Sequence, residues 1–115
     1  MQHPVVWFEV TGNDAARLRG FYSELFGWSV ATTEGSEYAE VDTKSPGKGI
    51  PGGIGPAKAG PWVTFYVATP DLAASLAKAT SLGAKTLLEP TEVGGGTRIA
   101  LFRDPEGHTI GLVAA

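Results

Sequence analysis

Apolar runs of strand type and apolar stripes of helix type alternate along this chain, twice in the same order. Val5-Val6-Trp7-Phe8-Glu9-Val10 is rich in β-branched and aromatic residues, which suit a pleated surface, and predicts a first strand. Asn13 or Asp14 then offers a short side-chain oxygen to the free N–H groups of a helix start. Leu18, Phe21, Tyr22, Leu25 and Phe26 recur at three- and four-residue steps, a stripe expected to face a sheet, and Gly27 supplies a left-handed stop. Trp28 to Thr33 and Tyr38 to Thr43 read as a hairpin around Glu34-Gly35-Ser36. From Ser45 to Pro61 glycine and proline dominate. Pro51 argues against a central strand, so a short irregular edge strand near Ile50 to Ile54 is expected there, followed by a linker.

The second half repeats the first. Trp62 to Val67 is a strand, and Thr69-Pro70 signals a helix start with proline at the first helical position. Leu72, Leu76, Ala79 and Leu82 make the helical stripe, which Gly83 ends. Lys85 to Glu89 and Arg98 to Phe102 are strands joined through Pro90 and Gly94-Gly95-Gly96. Asp104-Pro105-Glu106-Gly107 is a tight turn made of the residue types turns prefer, and Thr109 to Val113 is the last strand. Asp14 stands four residues after Val10, as Asp71 stands four after Val67. Such self-similarity predicts two like modules, 1–58 and 59–115, within one domain of 115 residues.

Composition removes several function classes. With no Cys there is no disulfide framework, thiolate nucleophile or Cys-ligated metal, which suits a reducing cytoplasm. Net charge is −3, with lysines and arginines scattered, so nucleic acid is not an expected partner. No apolar run reaches the ~20 residues of a membrane span, and the start Met1-Gln2-His3-Pro4 does not resemble a signal peptide. A cytoplasmic location is expected.

Two stretches carry a family resemblance. Phe21-Tyr22 with Leu25-Phe26-Gly27 ends the first helix, and Phe102-Arg103-Asp104-Pro105-Glu106-Gly107-His108 feeds the last strand. Together with the duplication they resemble the glyoxalase, bleomycin-resistance protein and extradiol dioxygenase superfamily, the vicinal oxygen chelate proteins, over nearly the whole chain. The resemblance implies an α+β fold of two βαβββ modules, forming a curled mixed sheet around a cavity, and a homodimer. In metal-using members it implies four ligands, one from each module's first strand and one from each last strand. Aligned here, these positions fall on Val5, Trp62, Gly52 or Gly53, and Gly111. None of these side chains donates to a metal, whereas hard and borderline divalent ions take carboxylate or imidazole. No metal and no other cofactor is expected.

Period-two geometry puts Val5, Trp7 and Glu9 on one face of the first strand, the face on which the resemblance places the cavity, and Val6, Phe8 and Val10 against the helix. The same parity assigns Trp62, Thr64 and Tyr66, and Thr109, Gly111 and Val113, to the cavity, with Ile99 and Leu101 as its walls. The expected site is aromatic and apolar with a few polar points, the usual makeup of an organic-ligand pocket. The plainer reading makes Trp7 and Trp62 core filling. Glu9 and Tyr66 are the candidate catalytic groups, Glu9 as a general base or cation binder. The plainer reading of Glu9, preferred here, is a strand-end carboxylate facing solvent or pairing with Arg98. His3 reads as a surface group and His108 as structural. Gly94-Gly95-Gly96 precedes a strand rather than a helix, so it is a hairpin turn or flap and no phosphate loop. Glycines of the fourth strand are expected to enlarge the cavity floor, and the Gly47–Gly60 stretch reads as a lid or a linker.

The function expected first is a metal-independent binding protein that holds a small aromatic or apolar molecule. The alternative is an enzyme of the same superfamily. That enzyme is either a lyase, isomerase or epimerase related to glyoxalase I, or a metal-dependent glyoxalase or dioxygenase with atypical ligands. A third possibility is a module that only dimerises or docks to another protein.

Overall fold

The computed structural model describes residues 2–32, 35–43, 47–58 and 60–115. Thr33 and Glu34 of the expected hairpin, and Lys44, Ser45, Pro46 and Ala59 in or beside the Gly/Pro stretch, lie outside the described residues. The protein is α+β, with the order strand–helix–strand–strand–strand occurring twice: β1 (Val5–Gly12), α1 (Ala15–Phe26), β2 (Ser29–Thr32), β3 (Ala39–Asp42) and β4 (Gly52–Pro56), then β5 (Trp62–Thr69), α2 (Leu72–Ser81), β6 (Lys85–Glu92), β7 (Arg98–Arg103) and β8 (Thr109–Ala114). Two compact units result, Trp7–Val63 and Met1–Val6 with Thr64–Ala115.

In the Trp7–Val63 unit the hydrogen-bonded strand order is β2-β3-β4-β1, with β1 and β4 parallel and the other pairs antiparallel. In the other unit the order is β6-β7-β8-β5, with β5 and β8 parallel and the rest antiparallel. Strand for strand the two orders match, so the repeat read from the sequence is a repeat of topology.

Helix starts obey the same local chemistry in both units. The Asp14 carboxylate accepts from the N–H of Arg17 at 3.0 Å, and that of Asp71 from the N–H of Ala74 at 3.0 Å. Each satisfies one donor that the first turn leaves without an intrahelical partner. Pro70 precedes the cap rather than occupying the first helical position, because Asp71 takes the cap role. Gly27 closes α1 in the left-handed conformation, its N–H bonded to the Ser23 carbonyl.

Core formation follows the strand parity. Val10, Val41 and Ile54 are buried in the first unit, with Phe8, Leu18, Tyr22, Trp28 and Val30 packed on them. Tyr22 and Trp28 stack at 5.5 Å between ring centroids. In the second unit Leu72, Leu76, Ala100 and Leu112 form the core, with Val67 and Phe102 against it. The two helical stripes are narrower than their periodicity suggests. Leu18 and Tyr22 pack inward, while Phe21, Leu25 and Phe26 are more than half exposed, and Leu82 lies beyond the end of α2 and is exposed.

β4 departs most from expectation. It is no edge strand: it bonds β1 on one side and β3 on the other, and Gly52, Gly53, Ile54 and Gly55 are all buried. Pro51 is tolerated because it precedes the strand, where its missing N–H breaks no ladder bond, while its carbonyl accepts from the N–H of Phe8 at 3.3 Å. β6 likewise runs on through Pro90 to Glu92, because it is the outer strand of its unit's sheet and shifts register along its length. Gly94 to Gly96 turn the chain between β6 and β7, closed by the Val93 N–H on the Thr97 carbonyl at 2.7 Å.

The turn before β8 is built on Asp104. One of its oxygens accepts from the N–H groups of Glu106 and His108, each at 2.9 Å, and the other lies 2.9 Å from His108 Nδ1. The backbone N–H of His108, foremost, holds the Asp104 carboxyl below its ordinary value of 3.8; desolvation opposes this, and the His108 side chain and the Glu106 N–H add to the lowering. A carboxyl depressed in the folded state stabilises the fold above its unfolded value, and that contribution fades as pH falls through the folded value. Asp104→Ala is therefore expected to be less stable than the parent at pH 7, with the gap closing below about pH 4. Urea unfolding at pH 7, 4 and 2.5 measures this, and a gap that stays constant or widens on acidification refutes it.

Candidate functional site

The polar centre of the Trp7–Val63 unit is Glu9. Along β1, alternation turns Phe8 and Val10 to the helix and Trp7 and Glu9 to the other face. Glu9 is 8% exposed. Its Oε1 accepts from the Tyr38 hydroxyl at 2.9 Å and its Oε2 from Trp62 Nε1 at 2.8 Å. The Tyr38 hydroxyl in turn accepts from Trp7 Nε1 at 3.0 Å. Trp62 is pinned a second time, its backbone N–H donating to Thr11 Oγ1 at 3.1 Å. One carboxylate thus gathers two indoles and a phenol on one face. Glu9 is accordingly not a solvent-facing strand end. A carboxylate tolerates such burial because N–H and O–H donors replace the water it loses.

Tyr38 is the member of this group that sequence reading missed. A Cβ placed on Gly53 or on Gly55 would run into its ring. The glycines of β4 therefore do not enlarge a cavity floor. They make room for Tyr38. Gly52 faces the other way, toward the Phe8 ring, which places Gly53 rather than Gly52 on the Glu9 face. A signal for Tyr38 was present: Gly53 and Gly55 leave an empty lane on one face of a strand, and a buried lane needs a large side chain from a neighbouring strand to fill it.

In the second unit, Tyr66, Gly111 and Leu101 stand in one row across β5, β8 and β7. Tyr66 is buried, and a Cβ on Gly111 would strike its ring. The Thr64 hydroxyl donates to the Thr109 carbonyl at 2.6 Å, so its proton is already engaged. Leu101 is buried and Ile99 half-buried, while Val5 lies 44% exposed in the segment that groups with this unit. His3 and His108 are exposed.

The structure brings Trp7, Glu9 and Trp62 together in one unit, and Thr64, Tyr66, Ile99, Leu101 and Gly111 onto one sheet face of the other. Two surface clefts, of about 380 and 290 Å³, lie elsewhere, at the N-terminal ends of α1 and α2. Neither is lined by Trp7, Glu9 or Trp62.

A family model described as a glyoxalase-like domain matches residues 7–113. The chain belongs to the glyoxalase-like domain family. It is 28% identical over 120 residues to "Putative glyoxylase CFP32" of Mycobacterium tuberculosis, covering 92% of this chain and 43% of that protein. It is also 28% identical over 119 residues to the anthracycline biosynthesis protein DnrV of Streptomyces peucetius, covering 88% of this chain and 43% of the relative. The chain thus spans less than half the length of the curated relatives it matches. Among solved structures, a methylmalonyl-CoA epimerase in complex with methylmalonyl-CoA and NH4+ shares the fold with a TM-score of 0.68 at 19% identity, covering 100% of this chain and 96% of the other. The methylmalonyl-CoA epimerase of Mycobacterium tuberculosis gives 0.64 at 17%, covering 96% and 86%.

Metal-using members of this superfamily raise the question of whether an ion fits here. Among the described residues, no three His, Asp or Glu side chains come together as a metal would require. Gly53 and Gly111 present no donor, and the Trp62 N–H, itself a donor, is spent on Glu9. The side chains at the four positions do not suit a divalent ion.

Proposed function

We propose that this glyoxalase-like chain binds a planar aromatic molecule against the indole-bearing face of the Trp7–Val63 unit, without a resident metal. The Glu9 network carries this reading. Both indole N–H groups are used internally, by Tyr38 and by Glu9, while the two rings stay partly exposed. What the indoles offer a ligand is therefore π-face and hydrocarbon held in a set orientation, the arrangement that favours stacking. Rings fixed before binding lose little side-chain entropy when a ligand arrives. A relative named for anthracycline biosynthesis adds support, since the fused rings of an anthracycline have the required shape.

A titration of the protein with a water-soluble anthraquinone, followed by tryptophan fluorescence and by calorimetry, tests this. Expected is saturable quenching with measurable heat, weakened about two- to tenfold by Trp7→Leu or Trp62→Leu, which remove the π-face, since each stack contributes roughly 0.5–1.5 kcal/mol beyond the area it buries. Trp28 remains as an internal reference in both variants. An affinity that neither substitution changes removes the basis of the proposal.

Burial of Glu9 favours one second reading, an enzyme that moves a proton with Glu9 as base. Incubation with methylmalonyl-CoA in heavy water tests it by deuterium exchange at the α-carbon. No exchange above a Glu9→Gln control excludes that substrate.

A further inference from the structure

Gly53 and Gly111 hold equivalent places in the two halves. Gly53 lies in β4, which pairs in parallel with β1, and Gly111 in β8, which pairs in parallel with β5. They are also two of the positions where the superfamily resemblance calls for a donor side chain. In each unit a tyrosine ring occupies the space that any side chain at that glycine would enter. Tyr38 lies over Gly53 and Tyr66 over Gly111. The two tyrosines reach their glycines by different routes. Tyr38 comes from the segment before β3 and crosses two glycines of β4, whereas Tyr66 comes from β5 itself, directly opposite Gly111 in the parallel pair. Neither glycine has positive φ, so backbone conformation does not require glycine at either position. Only the ring above it does.

We propose that the two donor positions are closed rather than vacant: each half has a tyrosine–glycine pair in which the ring fills the volume a ligand side chain would use. Glycine at 53 and at 111 is then obligatory for packing. Returning a carboxylate or imidazole to either position restores no metal site, because the side chain must first displace a buried ring. In the first unit the ring is also anchored, since the Tyr38 hydroxyl is bonded to Glu9 and Trp7, so it cannot swing aside without breaking that network. This inference stands apart from the identity of any ligand, and its test uses none.

Thermal unfolding of the whole chain is compared for Gly53→Ala, Gly111→Ala, and the doubles Tyr38→Ala/Gly53→Ala and Tyr66→Ala/Gly111→Ala. Gly20→Ala, in α1 with open space around it, is the control. Each single change at 53 or 111 is expected to lower the midpoint by about 5–15 °C through overpacking, while the control does not lower it. If ring and methyl compete for one volume, each alanine costs less when its own tyrosine is already alanine than in the parent. The mismatched combination Tyr66→Ala/Gly53→Ala shows no such relief. Gly53→Glu and Gly111→Glu proteins, dialysed against zinc or nickel, are expected to retain no stoichiometric metal. The proposal is overturned if Gly53→Ala and Gly111→Ala melt with the parent, if matched and mismatched doubles behave alike, or if either glutamate variant holds one ion per chain. Should a single variant fail to fold, the matched against the mismatched double still decides.

Discussion

Replacing Glu9 with alanine is expected to destabilise the fold by about 2–4 kcal/mol, because two hydrogen bonds to a charged acceptor are lost and buried donors are left without it. Trp62 Nε1 and the Tyr38 hydroxyl both point at this carboxylate, at 2.8 and 2.9 Å, in a site where Glu9 is 8% exposed. Removing the carboxylate also removes its own desolvation cost, which keeps the figure below the sum of two charged hydrogen bonds. Glu9→Gln retains one acceptor but turns an amide NH2 toward one of the two donors, so a smaller loss of about 1–2 kcal/mol is expected. Urea unfolding at pH 7 reads both as a shift in midpoint at constant slope. A double-mutant cycle of Glu9→Ala with Trp62→Phe isolates the indole's share, expected at about 1–2 kcal/mol. If Glu9→Ala unfolds within about 0.5 kcal/mol of the parent, as an ordinary surface change would, the carboxylate does not hold the two indoles and Tyr38 together.

Ile54→Ala is expected to cost about 3–4 kcal/mol, in the middle of the range for deleting a buried Ile side chain to alanine. Ile54 is fully buried, in a cluster with Val10 and Val41, and β4 is bonded on both sides. The void has little means of collapse. Its neighbours on the strand are Gly53 and Gly55, which have no side chains to move, and the aromatic residues packed on the cluster are locked to one another, Tyr22 stacked on Trp28 and Trp28 tilted against Phe8. Leu82→Ala is the matched comparison, because Leu82 is 70% exposed, and it is expected to stay within about 0.5 kcal/mol of the parent. Urea unfolding ranks the two. A loss under about 1 kcal/mol for Ile54→Ala would mean the cluster repacks, and that β4 does not organise this unit.

Local chemistry explains why some features were legible in the chain. Asp14 and Asp71 act within three residues of themselves, so their capping follows from spacing alone. Asp104 does the same for its turn. Strand parity also survives folding, since it depends only on the pleat. It placed Phe8 and Val10 with the helix and Trp7 and Glu9 on the other face. β4 could not be read this way. Its three glycines and preceding proline carry no strand propensity, and it is a strand because β1 and β3 supply partners on both sides. The outer part of the α1 stripe misled for the opposite reason. Phe21, Leu25 and Phe26 have the right period, but one sheet face covers only part of a helix's circumference.

What sits beside Glu9 could not be read from sequence either. Tyr38 and Trp62 come from 29 and 53 residues away: the pairing of β3, β4 and β1 brings Tyr38 within reach, and the bond of the Trp62 backbone N–H to Thr11 on β1 holds Trp62 there. Hence a carboxylate that looks like a surface group in the chain is a buried acceptor in the fold. Residue type and short spacing were enough for the doubled βαβββ order, the helix caps and the sheet-face parity, because none of these depends on distant neighbours. The burial of Glu9 among donors, the tyrosine rings lying over glycines and the interior place of β4 emerge only on folding, because each depends on which distant strands become neighbours.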